Sequence, residues 1–214
     1  MDASAANVNS LLDLVVAWDA GPARERADDD NCLIRGFLAT GSNRDFERLV
    51  ARHKDRVHRL AASVIGPGLS AEAEDATQDV FVQVYRKLST FRMRSSFTTW
   101  LYRITYNLAL EHRKKALKRL PDSGEDSLPG STRSDPHDDP SRAADARERR
   151  RRVLRCVENL DEPYRTVVHL HYWMNMPVSE IAGVLNSREG TVKSHLHRAR
   201  SRLAKALMRE AKDE

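Results

Sequence analysis

Apolar side chains recur every three or four residues over much of this chain, which is the spacing of one face of an α-helix. The first runs predict three helices, over about residues 43–65, 70–88 and 97–117. Asn43 and Ser70 stand where N-caps are expected, and Gly66-Pro67-Gly68 ends the first of these helices. Helical spacing resumes later and predicts four more helices, over about 143–159, 161–173, 177–185 and 188–208.

No run alternates between apolar and polar residues as a strand does, so the predicted fold class is all-α. Residues 120–142 hold four prolines, two glycines and many acids, which predicts a flexible acidic linker. The chain is therefore predicted to form two small helical domains, over 31–118 and 143–210, joined by the linker at 119–142. Residues 1–30 are acidic with one short apolar cluster, which predicts a loosely held extension.

The charge is strongly segregated along the chain. The 36 basic and 31 acidic residues give a net charge of +5, but the basic excess lies in the stretches 103–119 and 188–210. Two basic helices on either side of an acidic linker suggest two contacts with one polyanion, although solvated helix faces are common. The two cysteines form no CxxC motif, and no apolar run is long enough to span a membrane. The N-terminus lacks the pattern of a secretory signal, so a cytoplasmic protein is expected.

Residues 179–200 have the pattern of a helix-turn-helix, with a short helix, a tight turn and a longer basic helix. Ala182 is small enough for the helices to cross closely, and Asn186 tolerates the left-handed backbone of such a turn. Ser187 is predicted to cap the second helix. The inner face of that helix is an apolar stripe of Val192, Leu196, Ala199 and Leu203.

The outer face of the same helix is polar and basic, which suits the major groove of DNA. It carries Gly190, Lys193, Ser194, His197, Arg198 and Ser201. Further bases that can reach phosphates flank it, namely Arg188, Arg200, Arg202 and Lys205. The plainer interpretation is a two-helix corner with a solvated basic exterior, but turn, cap, stripe and charge together favour DNA binding.

The helix over 75–88 has two distinct faces. One arc is apolar and predicted to be core, with Ala76, Val80, Phe81, Val84 and Leu88. The opposite arc carries Asp75, Gln78, Val82 and Arg86. An exposed valine among polar groups suits a protein contact, although the residues alone favour a plain solvated face.

Aromatic and basic residues are interleaved over 91–107. This suits single-stranded nucleic acid, because aromatic side chains stack on nucleobases and basic side chains hold phosphates. Trp100, Arg103 and Asn107 share one face of the predicted helix. Phe97 and Trp100 also fit an ordinary core, and both interpretations stay open.

Residues 153–207 resemble the second conserved domain of the sigma-70 family of bacterial RNA polymerase specificity subunits. The segments 160–167, 179–182 and 190–194 closely resemble the extracytoplasmic-function (ECF) subfamily. This resemblance implies a reader of the −35 promoter element, acting through Arg188, Gly190, Thr191, Lys193, Ser194, His197 and Arg198. His195 and His197 depart from the pattern, because ECF proteins often carry an arginine and a variable, sometimes aromatic, residue there.

The N-terminal half resembles the first conserved domain of the same family. The segment 74–81 resembles the part by which sigma factors grip the clamp helices of the largest polymerase subunit, which implies core binding by Asp75, Gln78, Asp79, Val82 and Arg86. The run over 91–107 resembles the ECF segment whose loop captures a flipped base of the −10 element. It implies −10 contacts by Phe91, Arg92, Arg94, Ser96, Phe97, Trp100, Arg103 and Asn107.

The resemblance implies a sigma factor rather than an enzyme, with core RNA polymerase and promoter DNA as partners and no cofactor or metal. An ordinary dimeric helix-turn-helix regulator is the first rival, although it would need neither the 91–97 loop nor the Asp75/Gln78 face. A histidine-based metal enzyme is the second, but the residues of each His-x-His pair point to different sides of a helix. Whether an anti-sigma factor, or residues 1–30 in cis, holds the protein inactive is left open.

Overall fold

The structure, a computed structural model, describes residues 23–119 and 140–210, and every regular element in these ranges is helical. The first range contains α1 (Ala23–Thr40), α2 (Asn43–Ile65), α3 (Ser70–Lys87), a 3₁₀ turn (Leu88–Thr90) and α4 (Phe97–Arg119). The second contains α5 (Pro140–Glu158), α6 (Tyr164–Val168), a π-helical turn (His169–Trp173), α7 (Val178–Val184) and α8 (Glu189–Glu210). The all-α prediction is confirmed, and most of the predicted linker lies outside the described residues. Within those ranges, no helix is long and apolar enough to cross a membrane.

The predicted helices begin and end within one turn of the observed ones, but the predicted N-caps are wrong. Asn43 and Ser70 are the first helical residues, and the residues before them, Ser42 and Leu69, make no side-chain cap bond. Ser187 does not cap α8 either, because its buried hydroxyl has no hydrogen-bond partner among the described residues. Residue type alone does not determine which position at a helix start turns its side chain toward the free N–H groups.

The N-terminal domain is built around α2, α3 and α4, which all pack against one another. The predicted core arc of α3 is buried at four of its five positions, namely Ala76, Val80, Val84 and Leu88. Phe81 is only partly buried, at the edge of this core. The α2 and α4 helices contribute fully buried residues that include Val57, Leu60 and Leu101.

Helix α1 crosses the predicted boundary at residue 30 and is fastened to α2 by a buried ion pair. Asp30 is 1% exposed and accepts a hydrogen bond of 2.9 Å from Arg52 Nη1. Its other carboxylate oxygen lies 2.9 Å from Nε2 of His53, which is also 1% exposed. Asp29 pairs with the same guanidinium at 3.0 Å. The prediction of a loosely held extension is therefore wrong for Asp29 and Asp30, since their partners lie more than twenty residues further along the chain.

The C-terminal domain has its own core and also shares that of the N-terminal domain. Its own core joins α5, α6 and α8, with Val153, Val157, Leu160, Val168 and Leu203 buried together. Its other apolar face is buried in one cluster with α2 and α4, through Val167, Leu170, Ile181 and Val184. The two domains that the sequence predicts are thus packed against each other.

Removal of the buried charge at Asp30 tests the α1–α2 junction. We expect Asp30→Asn to lower the free energy of unfolding by about 2–3 kcal/mol, because it leaves Arg52 and His53 without their buried anion. The matched control is Asp29→Asn, whose side chain is 68% exposed and pairs with the same arginine. It should cost less than about 1 kcal/mol. Urea denaturation of both variants measures the difference, and equal losses would contradict the assignment.

The π-helical turn gives the fold a defined pH dependence. Burial, with further contributions from Arg165 and Arg59, lowers the pKa of His169 to about 4. Its Nδ1 atom is buried without a hydrogen-bond partner among the described residues. Since the pKa is lower in the folded than in the unfolded state, the unfolded state binds more protons between pH 4 and 6.5. The full stability is therefore present above pH 6.5 and is lost as the pH falls toward 4.

We expect the low pKa of His169 to lower the free energy of unfolding by roughly 1–2 kcal/mol when the pH falls from 7 to 5. Denaturation at both pH values should show a smaller drop for His169→Gln than for the unchanged chain. His197→Gln, at an exposed histidine, is the control and should behave as the unchanged chain does. Identical drops in all three proteins would refute the role of His169.

Candidate nucleic-acid and protein interfaces

An exposed apolar groove runs between α2 and α3. Val82 and Tyr85 at its rim are each 48% exposed, although both are large hydrophobic residues. Nine residues line it: Phe46, Val50, Lys54, Thr77, Gln78, Phe81, Val82, Tyr85 and Arg86. Phe46 meets Tyr85 edge to face in this groove, with their ring centroids 5.0 Å apart. Such a groove, apolar inside and polar at its rim, suits a protein partner.

Three of the five residues predicted to bind core polymerase, Gln78, Val82 and Arg86, lie together in this groove. Asp75 and Asp79 are exposed on the same helix but do not line it. Asp79 is instead paired with His112 of α4, at 2.9 Å between Oδ2 and Nε2.

The loop over 91–96 is supported by packed aromatic rings. Phe91, Phe97 and Trp100 pack against one another in edge-to-face and tilted arrangements, with centroid distances of 5.3 to 5.9 Å. Phe91 is 8% and Phe97 5% exposed, so both rings belong to the core, as the plainer interpretation of the sequence held for Phe97. His53, the partner of Asp30, meets Phe97 edge to face at 5.4 Å. The buried ion pair of α1 and α2 thus stands directly behind this loop.

Ser96 immediately precedes helix α4. Its Oγ accepts a hydrogen bond from the backbone N–H of Thr99 at 3.1 Å and lies 2.7 Å from the Thr99 hydroxyl. This is the geometry of an N-cap, so its side chain is occupied within the fold.

The remaining residues predicted to contact the −10 strand are exposed to solvent. They are Arg92 and Arg94 on the loop and Arg103 and Asn107 on α4. Trp100 is partly exposed at the junction of the two. Between the two loop arginines lies Met93, which is 39% exposed and has a left-handed backbone with φ of 54°. The sequence analysis did not single out this methionine.

The predicted helix-turn-helix is formed by α7, a turn and α8. Asn186 has a φ of 50°, as the turn requires, and the N–H of Ser187 donates to the carbonyl of Ala182 at 2.9 Å. The predicted inner stripe is buried at all four positions, Val192, Leu196, Ala199 and Leu203. Helix α8 is therefore fixed to the domain by one face only.

The outer face of α8 is entirely exposed. It carries six of the seven residues predicted to contact the −35 element, namely Gly190, Thr191, Lys193, Ser194, His197 and Arg198. The seventh, Arg188, is exposed immediately before the helix. A Cβ atom built on Gly190 would meet no described atom within 4 Å. The fold itself therefore does not require glycine here, although glycine weakens a helix relative to alanine.

Other basic and imidazole side chains of α8 are used inside the domain. Arg200 Nε donates to the Tyr172 hydroxyl at 3.0 Å, and Arg202 lies over the ring of Tyr164 at 4.4 Å. His195 packs edge to face on Tyr164 at 5.6 Å, and burial, with a contribution from Arg198, lowers its pKa. Of the two histidines that depart from the family pattern, His195 supports the domain and His197 faces solvent. Sequence spacing placed Arg200 and Arg202 among the phosphate contacts, but it does not reveal these internal partners.

The described residues contain no cluster of three or more His, Cys, Asp or Glu side chains that could hold a metal ion. The outward faces instead offer two kinds of contact. The groove offers apolar area for a protein, and α8, α4 and the loop offer cations for an acidic polymer.

Comparison with known proteins relates both halves of the chain to one protein family. The model of sigma-70 region 2 matches residues 49–119, and the model of sigma-70 region 4 matches residues 150–203. The chain is 34% identical to the RNA polymerase sigma-H factor of Pseudomonas aeruginosa over 179 residues, covering 80% of this chain and 92% of that protein. It is 33% identical to the ECF RNA polymerase sigma factor SigW of Bacillus subtilis over 172 residues, which cover 78% and 91% of the two chains. It is 30% identical to the ECF RNA polymerase sigma-E factor of Escherichia coli K12, over 75% of this chain and 85% of that one.

Two solved structures are similar in fold. CnrH, in complex with the cytosolic domain of CnrY, has 26% identity and a TM-score of 0.58, covering 84% of this chain and 97% of that chain. The sigma factor RpoE of Bartonella quintana, in complex with the anti-sigma factor NepR, has 22% identity and a TM-score of 0.61, with 77% and 97% covered. With both regions matched and full-length relatives above 30% identity, the chain belongs to the ECF subfamily of the sigma-70 family, whose members direct the promoter-specific initiation of transcription.

Proposed function

We propose that this chain binds core RNA polymerase through the α2–α3 groove and directs it to promoters by reading two DNA elements. Helix α8 reads the −35 duplex, and the 91–96 loop with α4 holds the −10 strand. The observation that carries the proposal is the full exposure of the outer face of α8. The chain also presents an apolar groove in which Val82 and Tyr85 remain exposed.

The −35 assignment is supported by the geometry of the helix-turn-helix. A helix fixed by one apolar face can enter the major groove with the other, where its side chains reach base edges. Lys193, His197 and Arg198 are exposed for that purpose, and the bare backbone at Gly190 permits close contact with a phosphate.

The −10 assignment combines a rigid support with exposed cations. The packed rings of Phe91 and Phe97 hold the loop in one shape, so little ordering entropy is lost when DNA binds. Arg92, Arg94 and Arg103 then hold the phosphates, and the exposed edge of Trp100 is available to an unstacked base. In this arrangement Ser96 and Phe97 position the loop rather than contact DNA.

The polymerase assignment depends on Val82 and its surroundings. An exposed valine and tyrosine over an aromatic floor provide apolar area in the centre, with Gln78 and Arg86 as polar contacts around it. This is the composition of a small interface core, in which one or two side chains contribute most of the binding energy.

Four further proposals complete the function. The chain acts in the cytoplasm. It performs no catalysis of its own, since binding energy drives strand opening. The two matched regions act as its functional units, with α1 added to the first. An anti-sigma factor is proposed as a regulatory partner, because the similar protein CnrH was solved with a bound protein, the cytosolic domain of CnrY.

The direct test is transcription in vitro with core polymerase and a library of genomic promoter fragments. We expect promoter-specific transcripts only when the chain is added, and their upstream sequences would give the two motifs. A chain that neither comigrates with core polymerase in gel filtration nor supports transcription would refute the proposal and favour an ordinary duplex-binding regulator.

A charge in the groove should abolish polymerase binding. We expect Val82→Glu to weaken the binding of core polymerase at least tenfold, because it desolvates a carboxylate in the apolar centre of the interface. Met208→Glu is the matched control, since Met208 is also an exposed apolar residue, at 54%, but lies near the end of α8. Fluorescence anisotropy of labelled chain titrated with core polymerase measures both. If the two variants bind core polymerase with equal affinity, the groove is not part of the interface.

Gly190 allows stability and DNA binding to be separated. We expect Gly190→Ala to raise the free energy of unfolding by about 0.5–1 kcal/mol, because alanine favours the helix and its Cβ meets open space. The same variant should weaken transcription from promoters that need a −35 element, while binding of core polymerase is unchanged. If stability rises and −35-dependent transcription is unaffected, the backbone at Gly190 does not approach DNA.

A further inference from the structure

The loop over 91–96 is held in the core only at its two ends. Residues 92–96 are all exposed to solvent, so none of their side chains is anchored in the core. Phe91 at the start of the loop and Phe97 directly after it are both buried. Met93 between them has a left-handed backbone, which costs free energy and persists only where the surroundings fix it. The shape of the loop therefore depends on what holds Phe91 and Phe97.

Phe97 is in turn held by a histidine of α2. The His53 ring meets Phe97 edge to face, with 5.4 Å between the centroids and 70° between the ring planes. Phe97 also contacts Phe91 at 5.8 Å and Trp100 at 5.9 Å. Contacts between aromatic rings are directional, because they depend on how edges and faces meet. A rotation of the His53 ring would therefore shift the rings that carry the loop.

One hydrogen bond sets the orientation of the His53 ring. Its Nε2 lies 2.9 Å from Oδ2 of Asp30, and because a carboxylate can only accept, Nε2 is the donor. Nδ1 of the same ring is buried and has no hydrogen-bond partner among the described residues. Asp30 is itself fixed by Arg52, whose Nη1 donates to the other carboxylate oxygen. Loss of the Asp30 carboxylate would therefore leave the ring without the contact that orients it.

Helix α1 brings Asp30 to this position and also packs on both flanks of the loop. It contacts the 3₁₀ turn (Leu88–Thr90) that leads into the loop and the α4 helix that follows it. Ile34, one turn after Asp30, is fully buried in the same core as Leu88. The match to sigma-70 region 2 begins at residue 49, so α1 lies outside it. The supports of the loop thus include a helix to which neither this match nor the proposed DNA contacts assign a role.

We propose that Asp30 and His53 are positioning residues of the −10 reader. The carboxylate orients the imidazole, the imidazole holds Phe97, and Phe97 keeps the exposed loop in the shape that receives the −10 strand. The inference rests on the proposed function, since it deepens the −10 assignment. Both side chains are 1% exposed, so they act through Phe97 and do not contact DNA themselves. A loop that is fixed before binding loses little conformational entropy when the strand binds, so the pair contributes to −10 affinity and not to polymerase affinity.

Three substitutions separate this positioning role from a purely structural one. Asp30→Ala removes the hydrogen bond that orients His53. His53→Gln keeps an amide donor for Asp30 but lacks the ring that meets Phe97. Asp29→Ala is the matched control, because Asp29 pairs with the same guanidinium of Arg52 at 3.0 Å but has a side chain that is 68% exposed.

The measurement uses each variant in complex with core polymerase. The complex is titrated with a fluorescent single strand that carries the −10 element of a promoter transcribed by the unchanged chain. We expect Asp30→Ala and His53→Gln each to weaken strand binding roughly tenfold, while their affinity for core polymerase stays unchanged. Asp29→Ala should bind the strand as the unchanged chain does. Because Asp30 and His53 act through one contact with Phe97, the double variant should bind little more weakly than either single variant.

Urea unfolding of the same variants distinguishes the two roles. His53→Gln retains a buried donor for Asp30, so it should lose strand affinity with little change in stability, a combination that a purely structural role would not produce. Unchanged strand affinity of His53→Gln refutes the proposal, as does a parallel loss of polymerase and strand binding, or losses that multiply in the double variant. If Asp30→Ala does not fold, the comparison of His53→Gln with Asp29→Ala decides. If the unchanged chain with core polymerase neither transcribes nor binds the strand, the proposed function fails instead.

Discussion

The buried guanidinium of Arg165 is the contact on which the arrangement of the two domains depends. The last carbonyls of a helix lack partners within it and carry the negative end of its dipole. Arg165 donates to carbonyls at the end of α2, at Ser63 and Val64, and to others at and just after the end of α5. One cation therefore completes a helix end in each domain. Gly66 gives it room, since a Cβ there would meet Nη2 at 3.1 Å. If the domains separate, solvent must replace the α2 carbonyls as partners of the guanidinium.

The same division of each helix into an inward and an outward face explains how one small chain can carry the three proposed binding surfaces. Helix α8 is fixed by Val192 and Leu196 and leaves its polar side free. Helix α3 is fixed by Val80 and Val84 and leaves Val82 in the groove. Because the folding energy comes from the inward faces, the outward residues can be chosen for binding, even where this costs stability, as proposed for Gly190.

The sequence alone predicted the elements well, because helical periodicity, Gly66 and Asn186 are local signals. It also identified Val82 and the outer face of α8, since an apolar residue among polar ones and a basic face opposite an apolar stripe are visible in the spacing. It did not reveal Asp30–His53, Arg165 or Glu180–Thr99, whose partners lie between 23 and 102 residues away. Pairing over such distances depends on how helices pack. The choice between core and base stacking stayed open for Phe97 for a different reason, because a base-stacking ring and a core ring have the same sequence pattern.

The interdomain contact combines a buried apolar centre with polar contacts at its rim. Polar contacts at its rim are moderate, with Tyr106 to Glu162 at 3.4 Å and Arg165 to the Val64 carbonyl at 3.5 Å. Typical hydrogen bonds contribute about 0.5–1.5 kcal/mol each, whereas a partner bound at nanomolar affinity releases about 12 kcal/mol. The binding of a partner at that affinity therefore releases more free energy than these rim contacts contribute. With both proposed DNA readers on one chain, each can bind DNA weakly by itself while the pair still discriminates promoters.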